Sequence, residues 1–244
     1  MTFRKGQSSI ETLMVFVFVM FILVIIAIFA NERNKEANEI KTLIDIRRIC
    51  DSFSDNVNNI AEQGSGFYKY FRLPGEVYGK EEYWLNVYGN LVEVSSRNYS
   101  VINSMVSSNI TIACLDKNLT KRNKVYNDGE RIYIICDKPE LYVLNDSLWP
   151  PNAYANTTVN VTVKVVNFGP ADAGSFTVLF NNTTPVVVSS LKSEDSVEVG
   201  FNMATPLATG PYPIMVVVDS LNEVNESIEV NNNYTGTLNV VSKT

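Results

Sequence analysis

The sequence predicts an α+β chain: one long N-terminal hydrophobic helix, then a small β region, then a β-sandwich. Three observations predict it. Leu13 to Ala30 is an unbroken run of eighteen apolar residues. No Pro or Gly interrupts 7–63. Beyond Gly66 the texture turns aromatic and β-branched with frequent turn residues, the pattern of strands rather than helices. These divide the chain into a short leader (1–6), a long helix (7–63) with a membrane-spanning segment (13–30), a small β-rich domain (64–138) and a sandwich (139–244).

The helix comes first. Eighteen apolar residues approach the ~20 that cross a bilayer core as a helix. Arg4 and Lys5 precede the run, and positive charge on that flank holds the N-terminus in the cytoplasm and sends the rest outside. The chain turns polar over 31–41. Then Ile40, Leu43, Ile44, Cys50, Phe53, Val57 and Ile60 recur at spacings near three and four, which predicts one apolar helical face. Gly64-Ser65-Gly66 ends the run. At ~1.5 Å per residue the helix is a rod of roughly 85 Å, a length that suits a filament subunit better than a soluble domain.

In the β region the candidate strands are Phe67–Leu73, Tyr83–Tyr88, Leu91–Ser95, Ile110–Leu115 and Arg131–Cys136, with Gly89-Asn90 as a hairpin turn. Farther on, Val159, Val161, Val163 and Val165 alternate with polar residues. Phe176, Val178 and Phe180 do the same, as do Val197, Val199 and Phe201, then Ile214, Val216 and Val218, and last Leu238 and Val240. Alternation over short runs with Gly, Pro and Asn between them predicts a sandwich. The boundary falls near Asp137-Lys138-Pro139.

Composition excludes several function classes. The net charge of -6 argues against a nucleic-acid partner. Histidine is absent, which removes the commonest general base and metal ligand. No Gly-x-Ser-x-Gly, Ser-x-x-Lys or phosphate-cradling Gly-rich loop occurs, and no C-x-x-C pair. The expectation is a protein that is not an enzyme and holds no cofactor.

The segment Arg4-Lys5-Gly6-Gln7-Ser8-Ser9-Ile10-Glu11-Thr12-Leu13 differs from an ordinary signal peptide, whose cleavage site follows its apolar core. Here the small polar cluster precedes the core, and one carboxylate, Glu11, stands at its edge. The segment resembles the class III signal peptide of archaeal type IV pilins, with the motif Q-x-S-x-E-x-x-x-L. Gln7, Ser9 and Glu11 match; the last position is Val15, with Leu13 two residues earlier. The resemblance implies cleavage between Gly6 and Gln7 by a prepilin peptidase, retention of the apolar helix, and a partner set of other pilin subunits. Glu11 would pair with the free amine of Gln7 on a neighbouring subunit and fix axial register, since breaking a buried pair costs several kcal/mol. The competing reading places Glu11 in the headgroup layer. A third treats residues 1–30 as a secretory signal cut after Ala30.

Val166-Asn167-Phe168-Gly169-Pro170-Ala171-Asp172-Ala173-Gly174-Ser175-Phe176 resembles the opening of a CARDB module, an Ig-like domain of cell-surface proteins. The stretch from Val218 to Asn232 resembles its acidic, Asn-ended closing segment. The resemblance spans roughly 140–241 and implies a seven-stranded sandwich used in surface contact or adhesion. Together the two resemblances imply a single-pass membrane protein with an extracellular C-terminus, later part of an extracellular filament.

Asp219, Asn222, Glu226, Glu229 and Asn231 are calcium-compatible in type but lack EF-hand spacing, and turn and cap chemistry is the plainer account. Ten Asn-x-Ser/Thr sequons occur, at Asn98, Asn109, Asn118, Asn145, Asn156, Asn160, Asn181, Asn182, Asn225 and Asn233, all in the part expected outside the cell. Cys114 and Cys136 end two predicted strands of one β region. A bridge between them closes about twenty residues and contributes roughly 3 kcal/mol; Cys50 with either is the alternative pairing.

Overall fold

The computed structural model describes the backbone of residues 4–243 and the side chains of 12–243. One helix, α1 (Arg4–Gln63), is followed by strands only. At ~1.5 Å per residue its sixty residues measure about 90 Å. It stops at Gly64, whose φ of 92° lies in the left-handed region and whose N–H reaches the Ile60 carbonyl at 3.3 Å. A glycine there ends a helix without the strain a Cβ would bring.

The first β unit has seven strands: β1 (Tyr68–Phe71), β2 (Trp84–Tyr88), β3 (Leu91–Ser95), β4 (Ser100–Ser104), β5 (Ile110–Ile112), β6 (Asn123–Asn127) and β7 (Ile132–Ile135). They form a sheet of order β1-β6-β7-β5 and an antiparallel meander β2-β3-β4. Gly89, with φ of 59°, turns the β2–β3 hairpin. Both sheets pack on the C-terminal half of α1. There Ile46, Ile49, Cys50, Phe53, Val57 and Ile60 are buried against Phe71, Leu73, Tyr83, Val92, Val94, Val125 and Ile134. Phe53 and Phe71 meet edge to face at 6.0 Å, a favoured aromatic geometry.

The helical face read from spacing needs correction. Ile40, Leu43 and Ile44 are exposed, while Ile46 and Ile49 are buried. The spacing gave the period, but the head begins to cover the helix only near Thr42, where Tyr78 reaches across: the Thr42 hydroxyl and the Asp45 carboxylate engage its backbone.

The second unit holds β8 (Leu141–Val143), β9 (Asn152–Tyr154), β10 (Thr158–Asn167), β11 (Phe176–Phe180), β12 (Thr184–Val188), β13 (Ser196–Ala204), β14 (Gly210–Val217) and β15 (Asn233–Val241). Two sheets, β13-β10-β8 and β12-β11-β14-β15-β9, face each other across one core. Val161, Val163 and Val165 point inward from β10, Phe176, Val178 and Phe180 from β11, Ile214 and Val216 from β14. Phe180 and Phe201 stack at 4.5 Å between the sheets. The α+β architecture with an Ig-like sandwich is as the sequence predicts. The sandwich has eight strands rather than seven, because Asn152–Tyr154 adds a short parallel edge to β15.

Cys114 and Cys136 are joined in a disulfide, and Cys50 is free and buried. The bridge follows β5 and β7, which run parallel and side by side, so both strands finish at the same end of the sheet.

Candidate functional site

Two features of the molecule are unusual for a domain at rest in water: the bare half of α1 and the ionic junction between the β units.

From Leu13 to Phe29 every large apolar side chain is exposed, from 37% at Ile25 to 69% at Met14. Among the described residues one helix, over 12–63, is long and apolar enough to cross a membrane. Covering sixteen such side chains is worth ~2 kcal/mol each, or roughly 30 kcal/mol together. That exceeds the ~5–15 kcal/mol that holds a whole domain folded. The half-helix therefore requires a lipid or protein environment. The exposed apolar surface resumes past the polar stretch at Ile40, Leu43 and Ile44. Gly6, Gln7 and Glu11, on which the cleavage and register readings rest, lie outside the described side chains.

The junction is centred on Lys124 of β6. Its side chain is fully buried, and its Nζ donates to Glu194 Oε1 and to the Phe168 carbonyl, each at 2.7 Å. The ammonium lies 3.1 Å from the Phe168 ring centre and 4.1 Å from that of Tyr68. Tyr70 donates its hydroxyl to the same Glu194 oxygen, and Arg122 donates to the Pro170 carbonyl. Register explains the grouping: β1 and β6 pair Tyr68 with Tyr126 and Tyr70 with Lys124, and alternation puts Arg122, Lys124 and Tyr126 on one face. Phe168 and Glu194 enter from the sandwich. Burial pushes the Lys124 ammonium down to about 8, against the opposing pull of Glu194. Gly169 lets the turn after Phe168 lie against the segment that enters the sandwich: a Cβ there would lie 2.3 Å from the Lys138 carbonyl oxygen and 2.5 Å from the Glu140 nitrogen.

The acidic closing segment is built as turn and cap chemistry. Asp219 accepts from the Glu223 and Val224 amides at 2.8 and 2.9 Å. Glu226 accepts from the Leu141 amide at 2.6 Å, and Glu140 from Ile228 at 2.8 Å and from the Asn231 side chain at 2.5 Å. Burial pushes Glu140 up to about 7 and Glu226 up to about 8. Asn232 donates to Glu226 Oε1, while its own Oδ1 is buried without a partner. Asn222 and Glu229 sit exposed at the rim. No metal-holding group of His, Cys, Asp or Glu occurs among the described residues.

Nine of the ten sequon asparagines are exposed and Asn181 is half-buried. Asn181 and Asn182 have positive φ and form the β11–β12 turn, and Asn156 also has positive φ. Asn109 and Asn160 commit their amide nitrogens to Glu130 and Asn202. Asn225 accepts from Lys138 at 2.7 Å. Asn98 and Asn118 lie in exposed turns; Asn145 and Asn233 border the cleft between the two β units.

Sequence reasoning missed Lys124 and Glu194 as a pair. The legible signal was the alternation of Arg122, Lys124 and Tyr126 beside that of Tyr68 and Tyr70, cation and ring on matching faces.

Fold and site together define a β-rich head on a helix whose free half needs an apolar environment. Residues 138–236 match the family model described as CARDB, and the C-terminal sandwich is a CARDB domain. A solved CARDB domain from Pyrococcus furiosus, described as in complex with di-metal ions, is 29% identical. That match covers 43% of this chain and 90% of that chain, with a TM-score of 0.35. A domain from Methanosarcina acetivorans, described as belonging to a cell surface protein, is 31% identical. It covers 43% of this chain and 95% of that chain, with a TM-score of 0.38. No curated protein matches the chain. A CARDB domain is a cell-surface type of domain, and with the apolar helix the chain fits a membrane-tethered surface module.

Proposed function

We propose that this chain is a structural subunit of an archaeal type IV pilus-like filament. In this reading the prepilin peptidase cuts between Gly6 and Gln7, and the membrane holds the helix until it enters a filament core. The observation that carries the reading is the continuous α1, bare and apolar over 13–29 and wrapped by the head over 46–60. A plain anchor has no need of a helix that runs on into the head as its core. The exposed Ile40, Leu43 and Ile44 favour neighbouring helices over lipid, because they lie beyond the polar 31–39 stretch and so outside the hydrocarbon layer. Glu11 acts as the register device by pairing with the Gln7 amine of a neighbour. The head performs no catalysis and faces outward.

The second reading is a membrane-tethered adhesion module or a minor, tip-located subunit whose CARDB head binds a ligand. The two β units of the head favour it, since coating a filament calls for less protein than this. The N-terminus of the protein taken from its own cells, read by mass spectrometry, separates the routes. A start at Gln7 supports the filament subunit, an intact Met1 supports the tether, and a start at Asn31 contradicts both.

A further inference from the structure

The junction of the two β units encloses a cleft of about 440 Å³ that neither unit forms alone. The linker after α1 gives Phe67, β6 gives Tyr126, and the sandwich gives Tyr142, Phe168 and Tyr234. Domain junctions are where ligand pockets concentrate, and apolar walls with a few polar groups are their usual lining. Phe67 is 51% exposed, although a phenyl ring covered by its own domain would be worth ~2 kcal/mol. Tyr126 already stacks one face on Tyr133 at 5.0 Å, which fixes its ring as a rigid wall.

The polar groups narrow the ligand class. No Lys or Arg lines the cleft, and Asp128 adds a carboxylate, so a phosphate or carboxylate ligand is disfavoured. Asn145 and Asn233 form the rim; their amides offer both donors and acceptors and are engaged in no side-chain hydrogen bond among the described residues. Aromatic faces carry negative potential and attract polarised C–H groups, while amides pair with hydroxyls. A ring with an apolar C–H face and a hydroxyl edge satisfies both, which is the chemistry of a saccharide. Asn145 and Asn233 are themselves sequon residues, so a glycan on either begins within reach of these rings.

We propose that this cleft is a saccharide-binding site, its rings stacking on the sugar and its asparagines bonding the hydroxyls. The sugar comes either from a glycan on the chain's own Asn145 or Asn233, or from another surface molecule. The inference rests on the outward-facing head of the proposed function only for that supply; the cleft itself is independent of filament assembly.

The test has two arms. In the first, the full chain made without glycosylation is held in sugar-free zwitterionic micelles. It is titrated with methyl glycosides of glucose, galactose, mannose and the N-acetylhexosamines, following aromatic proton shifts by NMR. Saturable binding that weakens about tenfold in Phe67→Ala, the loss of one ring contact, supports an external sugar. Phe67 is exposed enough for that variant to keep the fold. In the second arm, protein from its own cells is mapped for glycopeptides. A glycan on Asn145 or Asn233 that shields Tyr142 and Tyr234 from iodination, with shielding lost in the matching Asn→Gln variant, supports the chain's own sugar. The proposal is overturned if no saccharide binds and no shielding occurs. It is also overturned if binding survives both Phe67→Ala and Tyr142→Ala, or if a polyproline peptide binds where no saccharide does. Each result is read without filaments, so failure here leaves the subunit reading standing, and the reverse.

Discussion

Residues 13–29 and residues 46–60 belong to one helix, yet they meet different surroundings. The C-terminal half is covered by the sheets of the first β unit, and Phe53, Val57 and Ile60 are at most 1% exposed. The N-terminal half has nothing over it, and its apolar residues run all the way round rather than along one stripe. A stripe needs one partner surface; an all-round apolar helix needs a solvent or a bundle. The comparison teaches that the head is finished within the chain and the rod is finished outside it.

The largest expected effect separates the halves directly. Phe53→Ala removes a buried ring and lowers head stability by about 3–5 kcal/mol in chemical unfolding. Phe18→Ala, on the bare half, leaves it within about 0.5 kcal/mol. Equal effects would dissolve the distinction. Next, replacing both Cys114 and Cys136 by Ala removes the bridge across 22 residues and costs about 3 kcal/mol. That loss belongs to the first β unit, so the CARDB transition should keep its midpoint in calorimetry.

The smallest effect is a pH dependence confined to the sandwich. Glu140 and Glu226 have folded values of about 7 and about 8, raised from an ordinary carboxyl value by burial. Groups raised on folding contribute stability that is complete below the unfolded pKa near ~4.3 and is lost as pH climbs toward 8. Lys124, pushed down to about 8, is protonated in both states below pH 7 and opposes the slope only as pH nears 8. The sandwich is therefore expected to melt at lower temperature at pH 8 than at pH 5, and Glu226→Gln to flatten the trend. An unchanged slope in that variant would contradict the assignment.

How much of this was legible in the sequence follows from the same contrast. Periodicity reports whether a residue faces an apolar partner but not which partner. Hence α1 and the long alternating strands β10 and β13 were readable, while the start of head coverage was not, and Ile40 to Ile44 were assigned to the wrong surface. β4 and β6 were hidden by polar residues: Ser and Asn in Ser100–Ser104, and Lys124 inside Asn123–Asn127. Lys124 is buried only because Phe168 and Glu194 arrive from the other unit, and no local pattern announces that. β12 was masked by Pro185, which an edge strand tolerates. The closing acidic segment read as turn chemistry, but the cleft between the units is a product of their docking and has no signature in either alone.

In the proposed filament the bare half-helix packs against copies of itself. Val17→Cys places an exposed thiol there, while the native Cys50 is buried and Cys114 and Cys136 are bridged. Thiol crosslinking of that variant in its own cell envelopes should trap a dimer, the most that one thiol per chain can link, and adding Val19→Cys, exposed on the opposite side of the helix, should extend the product to a ladder of multimers, weakened by Glu11→Ala. Monomer alone, with the thiol reactive toward a lipid-soluble maleimide, would contradict the claim and leave the helix as a simple anchor.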